Sequence, residues 1–188
     1  MNKQKGLSVK SVVAIGIGAA IYVILARFTS IPTGIPNTNI EIVYPFLALL
    51  ATIYGPVVGF SVGFIGHALG DFLMYGQTWW SWVLATAVLG LIIGLYGMRL
   101  DLDNGVFTVK QMVGFNVVQI IANVISWLVI APVGETFWFA LNTKALAPVV
   151  GVPATATITN SLSILILGTI LLKAYAATKV KKGSLRKD

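Results

Sequence analysis

Cysteine is absent from this 188-residue chain, and histidine occurs only once. The lack of cysteine excludes disulfides, thiolate zinc sites, cysteine-bound iron–sulfur clusters and cysteine nucleophiles. Charged residues are also scarce, at 10% of the chain, whereas an ordinary soluble domain carries about a quarter. Because 57% of the residues are hydrophobic, the composition predicts a membrane protein rather than a soluble domain.

Two motifs of enzymes are missing as well. No Gly-x-x-x-x-Gly-Lys-Ser/Thr phosphate loop occurs, so the chain does not hydrolyse ATP through that architecture. No His-Glu-x-x-His zinc motif is present either. We therefore predict that the chain is not an enzyme, binds no metal and uses no catalytic cofactor.

Long apolar segments divide the chain into six predicted membrane spans. A span needs about 20 apolar residues, and the breaks fall at polar or Gly/Pro-rich segments such as Ser30–Asn39 and the Gly55-Pro56 turn. The predicted spans cover residues 9–28, 40–54, 57–75, 80–98, 111–130 and 148–176. We expect an all-α bundle that forms one integral membrane domain over residues 1–188.

The basic residues predict the orientation of this bundle. In the six-span arrangement, all of them except Arg27 and Lys144 fall on the side of the N-terminus. Basic residues concentrate in cytoplasmic loops, so both termini are predicted to be cytoplasmic. The basic start before the first apolar segment resembles a secretory signal, but no small-residue cleavage site follows, and we expect a retained helix. The net charge of +7 then marks a membrane flank and not a nucleic-acid partner.

The first span carries small residues at helical spacing. Ala14 with Gly18, and Gly16 with Ala20, are each four residues apart. Residues four apart share a helix face, and small side chains there let a second helix approach closely. The second helix belongs either to a partner protein or to this chain.

The third span places the single histidine, His67, four residues before Asp71. This spacing puts both side chains on one helix face, and ionisable residues inside a membrane segment are candidates for function because their desolvation is costly. Proton relay, metal binding, ligand contact and a purely structural pair all remain open. A metal site is the least supported, because a third clustered ligand is missing.

Tryptophan and uncharged polar residues concentrate in the outer half of the predicted bundle. An interfacial aromatic belt explains single tryptophans, but a belt marks both interfaces, and all five lie on one side. Asn116, Gln119, Asn123 and Trp127 form a polar stripe along the fifth span, and amides in lipid need partners. With Glu41 and Glu135 nearby, we expect an outward-facing, hydrogen-bonding pocket with aromatic walls. Its predicted ligand contacts are Asn37, Asn39, His67, Asp71, Trp79, Trp80, Trp82, Asn123, Trp127, Trp138, Asn142 and Asn160.

These parts together resemble a known family. A basic start, a first helix with small residues four apart, a Pro/Asn-rich first outer loop and a Gly-Pro turn into a glycine-rich helix ending in His-x-x-x-Asp resemble the S components of energy-coupling factor (ECF) transporters. The resemblance covers the whole chain. S components are the substrate-binding membrane subunits of vitamin importers, so it implies a multi-pass protein of a prokaryotic plasma membrane.

The resemblance also implies partners and a mechanism. An S component captures a vitamin on the outer side, docks onto a transmembrane coupling subunit that carries two ATPases, and tilts in the bilayer to release the vitamin inside. Ala14, Gly16, Gly18 and Ala20 would then form the docking face for the coupling subunit. This chain alternates Ala and Gly where many members have Ala-x-x-x-Ala.

The vitamin is predicted from the stretch GHALGDFLMYG and the WWSW that follows it. Both are most similar to a branch of S components linked to cobalamin, which is therefore the favoured ligand. Riboflavin, thiamine or its pyrimidine precursor also suit aromatic walls and amides. A different function class, an autonomous proton-coupled carrier with His67 and Asp71 as the relay, is the alternative to a vitamin-binding subunit. A membrane enzyme that depends on His67 is the least favoured reading.

Overall fold

The computed structural model describes residues 7–34, 39–139 and 146–179, and the side chains of residues 138–139 and 146–150 are not described. These ranges fold almost entirely into helices. The helices are α1 Val9–Phe28, α2 Val43–Tyr54, α3 Pro56–Tyr75, α4 Trp80–Gly97, α5 Val109–Asn123, α6 Ala131–Phe139, α7 Leu146–Ser163 and α8 Thr169–Ala177. Two-residue strands, β1 Ile31–Pro32 and β2 Asn39–Ile40, form a small antiparallel ribbon beside the bundle.

Short π-helical segments join successive helices in the second half of the chain. Val124–Ile130 connects α5 to α6, and Ile164–Gly168 connects α7 to α8. The predicted fifth span, 111–130, therefore continues as helix to Phe139. A π-helical segment shifts the faces that follow it along the helix, and such segments are frequent at functional sites.

The described residues contain five helical segments long and apolar enough to span a membrane, one fewer than the sequence predicts. The missing one is the predicted span 40–54, because Asn39 and Ile40 form a strand and α2 begins only at Val43. Its 12 residues give a rod of about 18 Å, which is shorter than a hydrocarbon core of about 30 Å.

Glycines make the two tight turns that reverse the chain around α3. Gly55, with φ of 91°, ends α2, and Pro56 starts α3 at the next residue. Proline fits the first position of a helix because its missing N–H needs no partner there. Gly76, with φ of 72°, caps the other end of α3 in the left-handed conformation, which costs glycine nothing. The predicted bounds of this helix, 57–75, agree closely with Pro56–Tyr75.

Close backbone contacts hold α3 between α4 and α1. A Cβ atom on Gly63 would lie 2.8 Å from the Thr86 carbonyl oxygen, and one on Gly59 would collide with the carbonyl of Gly90. On its other side, Gly66 packs under the Tyr22 ring of α1. The glycine-rich face of α3 therefore packs inside this chain and brings three helices together around His67 and Asp71.

The small residues of α1 point to two different sides of the helix. Gly18 is buried, and a Cβ atom there would lie 2.7 Å from the Leu50 side chain and 2.9 Å from that of Val62. Gly16 has no atom within 4 Å of a Cβ position, and Ala20 is exposed. Gly18 therefore packs within this chain, whereas Gly16 and Ala20 are open to a partner or to lipid.

The polar side chains of the α5 stripe form hydrogen bonds with α7, with α8 and with one another. Asn116 donates to Thr169 Oγ1 at 2.9 Å, and Gln119 donates to the Ser161 carbonyl at 3.2 Å. Further along, Asn123 donates to Gln119 Oε1 at 3.0 Å. These bonds tie α5 to α7 and α8, so the stripe stabilises the bundle.

One five-residue match to an enzyme motif lies inside α3. Residues 59–63 read Gly-Phe-Ser-Val-Gly and have the Gly-x-Ser-x-Gly spacing of hydrolase nucleophiles, which work at a strained strand-to-helix turn. Here the stretch is uninterrupted helix. It therefore lacks the exposed elbow that the chemistry requires.

Candidate functional site: a cavity at one end of the bundle

A cavity of about 530 Å³ opens at the end of the bundle where α1 and α3 finish and α2 and α4 begin. We call this the cavity end. The volume lies in the range of about 300–1,000 Å³ that is typical of small-molecule sites. Its lining residues are Tyr22, Ala26, Ser30, Asn39, Glu41, Tyr44, His67, Gly70, Asp71, Met74, Tyr75, Trp79, Trp82, Pro132, Glu135, Val152, Pro153, Ala156 and Asn160.

His67 and Asp71 lie together in the lining, in a fixed arrangement. His67 Nδ1 lies 2.6 Å from Thr86 Oγ1 on α4, and its Nε2 lies 3.4 Å from Asp71 Oδ1. The Tyr22 ring stacks on the imidazole with a centroid distance of 6.2 Å. The histidine is therefore held from three sides.

Asp71 also positions the turn between α3 and α4. Its Oδ2 accepts the backbone N–H of Trp79 at 3.1 Å, and the residue is only 6% exposed. Trp79 in turn meets the Tyr75 ring edge-on at 5.3 Å. The carboxylate thus connects the base of the cavity to its aromatic rim.

Glu135 on α6 fixes the opposite wall. Its Oε1 accepts the Ser81 hydroxyl at 2.7 Å and the indole N–H of Trp82 at 3.1 Å. The sequence places Glu135 in a loop, but the helix beyond the π-helical segment extends through it. The carboxylate therefore reaches the start of α4 and orients Trp82 toward the cavity.

Trp127 supports this aromatic wall from behind. It is fully buried, and its indole N–H donates to Asn123 Oδ1 at 2.9 Å. Its ring packs on Trp82 at 5.4 Å and meets Tyr44 edge-on at 5.5 Å. Both Trp82 and Tyr44 line the cavity, so Trp127 acts by holding them.

The predicted contacts separate into three groups. Asn39, His67, Asp71, Trp79, Trp82 and Asn160 line the cavity. Asn123 and Trp127 lie behind the wall, and Trp80, 43% exposed, packs outside the cavity against Phe64. Asn37 and Asn142 lie outside the described residues, as does the side chain of Trp138.

The sequence did not single out several lining residues, including Tyr22, Tyr44, Met74 and Tyr75. All four sit in apolar helices, where the hydropathy pattern gives them no distinction from core residues. The signal that could have identified Tyr22 and Tyr44 is the phenol hydroxyl, because a buried tyrosine hydroxyl usually needs a polar partner.

Glu41 contributes a partly buried carboxyl group just before α2. It lines the cavity near His67 and beside Asn39. Burial raises the pKa of Glu41 above its ordinary value of 4.5, and Asp71 adds to the rise, whereas His67 and a hydrogen bond from Asn39 oppose it. Ionisation of Glu41 in the cavity is therefore costly.

Glu41→Gln is expected to stabilise the ligand-free protein at about pH 8 and much less at about pH 5. The pKa of Glu41 is higher in the folded chain than in the unfolded chain. Ionisation of Glu41 therefore destabilises the folded wild-type chain at pH values above the raised pKa, and this destabilisation disappears as the pH falls. The measurement is the thermal unfolding midpoint in detergent at both pH values. Asp101→Asn, an exposed carboxylate at the opposite end, is the control, and a gain from Glu41→Gln that is equal at both pH values would contradict the assignment.

The chain also matches the model of a known protein family. The model of the family "ECF-type riboflavin transporter, S component" matches residues 6–177. The chain belongs to this S-component family. The family is one of transporter substrate-binding components, so this S component is a multi-pass membrane protein that serves the uptake of a vitamin-like substrate.

Relatives of this S component cover its whole length. A UPF0397 protein of Lactobacillus gasseri is 90% identical over 100% of both chains. Another, from Lactobacillus acidophilus, is 68% identical over 97% of each, and one from Staphylococcus aureus is 50% identical over 99% of this chain and 100% of its own.

Two solved structures share the fold of this S component. FolT bound with folic acid has a TM-score of 0.62 at 15% identity and covers 96% of this chain and 98% of its own. The S component for biotin from an ECF-type ABC transporter has a TM-score of 0.57 at 16% identity and covers 95% of this chain and 93% of its own. The S-component fold expected from the sequence is thus confirmed.

Proposed function

We propose that this S component binds a vitamin in the cavity and delivers it to a separate ATP-driven module. The observation that carries the proposal is the cavity itself, a site of about 530 Å³ walled by Trp79, Trp82 and Tyr44. Aromatic rings contribute large contact areas with little loss of side-chain entropy. Because the chain has no Gly-x-x-x-x-Gly-Lys-Ser/Thr motif, ATP-driven transport would require a partner that hydrolyses ATP.

We infer that the cavity faces the exterior and that both termini are cytoplasmic. Support comes from the end of the bundle opposite the cavity, where α2 finishes and α5 begins. The described basic residues apart from Arg27 belong to that end: Lys10, Arg99, Lys110, Lys173 and Lys179. Basic residues of this kind favour the cytoplasmic face.

Cobalamin is the ligand we favour, on the resemblance of the 66–82 stretch to a cobalamin-linked branch. Its ring carries many amide groups, and Asn39, Asn160 and the cavity carboxylates offer them acceptors. Riboflavin, which the family description names, and thiamine or its pyrimidine precursor are the alternatives. All of them suit aromatic walls.

The test is mass spectrometry of small molecules released from the detergent-purified chain, followed by titration of the emptied protein with cobalamin, riboflavin and thiamine. We expect one vitamin to be retained and to rebind at one molecule per chain, without chemical change. Failure of every vitamin to bind would contradict the proposal.

The proposed partners are a transmembrane coupling subunit and two ATPases. Because Gly18 is packed against Leu50 and Val62, the docking surface we propose narrows to the exposed side of α1 that carries Gly16 and Ala20. Small residues there would let a helix of the coupling subunit approach closely. Ala14 packs against the core of this chain.

Gly16→Leu is expected to abolish vitamin uptake by the assembled transporter while vitamin binding by the isolated chain stays unchanged. The leucine would hold the partner helix away from α1, and nothing in this chain lies within 4 Å of the new Cβ. Uptake and binding are measured in parallel. Val117→Leu, at an exposed position of α5, is the control and should leave both unchanged. Full uptake by the Gly16→Leu variant would rule out this docking surface.

The second candidate function is a proton-coupled carrier. It is favoured by one observation, the His67–Asp71 pair in the cavity lining. Its signature is uptake by the chain alone, driven by a proton gradient and lost in Asp71→Asn.

A further inference from the structure

The ionisable side chains that line the cavity are unbalanced in sign. Within the described residues, three carboxyl groups, Glu41, Asp71 and Glu135, face one imidazole, His67, and no lysine or arginine. Asp71 is already paired with His67 and the N–H of Trp79. Glu41 and Glu135 line the cavity from different elements, the segment before α2 and α6.

Apart from His67, no described group at the cavity end compensates for these carboxylates. Arg27 is exposed and does not line the cavity. Helix dipoles do not help, because three helices end here (α1, α3 and α6) and three begin here (α2, α4 and α7), so their positive and negative ends offset one another. The carboxyl groups therefore set the sign of the field in the cavity.

The carboxyl groups also retain capacity to accept hydrogen bonds. Among the described residues, both bonds to Glu135 end on Oε1, from Ser81 and Trp82. Its Oε2 is left to accept from a ligand. A carboxylate that already has two donors on one oxygen keeps its orientation without a ligand, which reduces the entropy lost on binding.

We propose that this cavity selects ligands that donate N–H or O–H groups and carry no net negative charge on the enclosed part, with Glu135 as a specificity-determining residue. The inference rests on the proposed vitamin-binding function and adds the chemistry of the vitamin. An anionic group in the cavity would lie close to carboxylates, and juxtaposed like charges repel each other. Amides, ring N–H groups and cations would be accepted.

This selectivity separates the chain from the solved structures that share its fold. Folic acid, which is bound in one of them, and biotin, the substrate named for the other, both carry carboxylates. At 15–16% identity the fold is shared and the lining is free to differ. We expect the emptied chain to bind neither folic acid nor biotin.

The decisive experiment compares neutral and anionic forms of the same molecule by titration calorimetry on the full chain in detergent. The probes are cyanocobalamin with its monocarboxylic acid, in which one amide is hydrolysed, and riboflavin with riboflavin 5′-phosphate. In the pair that binds, we expect the anionic form to bind at least about tenfold more weakly, which corresponds to about 1.4 kcal/mol of binding free energy. Equal or tighter binding of the anionic form, or of folic acid or biotin, would overturn the inference while leaving vitamin binding intact.

Glu135→Gln tests the role of this residue through the ratio of the two affinities. Glutamine keeps one acceptor oxygen for Ser81 and Trp82, removes the charge and puts an NH2 group in place of Oε2. We expect weaker binding of the neutral form, and the penalty on the anionic form relative to the neutral form should shrink. Asp101→Asn removes a carboxylate at the opposite end and should leave the ratio unchanged. An unchanged ratio in Glu135→Gln would show that Glu135 does not determine the specificity. Failure of all neutral probes to bind would instead contradict the vitamin-binding function.

Discussion

Trp82→Ala is expected to weaken vitamin binding by about tenfold or more, whereas Trp80→Ala should leave it unchanged. Trp82 lines the cavity, packs against Trp127 with a ring-centroid distance of 5.4 Å and donates to Glu135. Its truncation removes an aromatic wall and frees the carboxylate. Trp80 is two residues away in sequence but packs against Phe64 outside the cavity, which makes it a closely matched control.

The affinities are measured by titration of the purified variants with the vitamin retained by the wild-type chain. Trp82→Phe separates packing from hydrogen bonding, because it keeps a ring and loses the indole N–H. We expect its affinity to fall between those of the wild type and the alanine variant. An equal loss in Trp80→Ala and Trp82→Ala would show that the tryptophans act as an interfacial belt and not as a binding wall.

Gly90→Ala is expected to destabilise the fold by about 1–3 kcal/mol or more. A Cβ atom there would collide with the backbone of Gly59 on α3, and backbone atoms have no rotamer by which to move aside. The helices would have to separate, which would displace Thr86 from His67. We expect a lower thermal unfolding midpoint and the loss of the single peak in size-exclusion chromatography.

Gly16→Ala is the control for this effect. Its new Cβ meets nothing within 4 Å, and alanine is a better helix former than glycine by about 0.8–1.0 kcal/mol. We expect unchanged or slightly higher stability. A Gly90→Ala variant as stable as Gly16→Ala would contradict the close crossing of α3 and α4.

The helices were predictable where length and turn chemistry decide the structure. The Gly55-Pro56 turn and the apolar segment behind it predict a helix over 57–75, and the structure has Pro56–Tyr75. The second span was not predictable in the same way. Asn39 and Ile40 pair with β1, and a strand pair of two residues leaves no periodicity to detect.

The face that each residue presents was much harder to predict. In a soluble protein the exposed face is polar, but in a membrane both faces are apolar, so hydropathy does not separate them. Gly16 and Gly18 look equivalent in sequence, yet one is open and the other packed. Trp80 and Trp82 divide in the same manner.

The polar residues of the site were predictable in type and only partly in role. His67 and Asp71 were found because ionisable residues are costly in a membrane segment, and both line the cavity. Asn123 was predicted as a ligand contact because an amide in lipid needs a partner, but it bonds to Gln119 and Trp127. Its partner Trp127 lies in the π-helical segment Val124–Ile130, and the sequence does not reveal the change of helix register there.

The most direct test of the account is vitamin uptake by proteoliposomes, with the vitamin identified from the purified chain. We expect the chain alone to bind the vitamin but to accumulate none, with or without a proton gradient. Addition of the coupling subunit, both ATPases and ATP should start accumulation. Accumulation of the vitamin against its gradient by the chain alone would contradict the account and favour a carrier that works through His67 and Asp71.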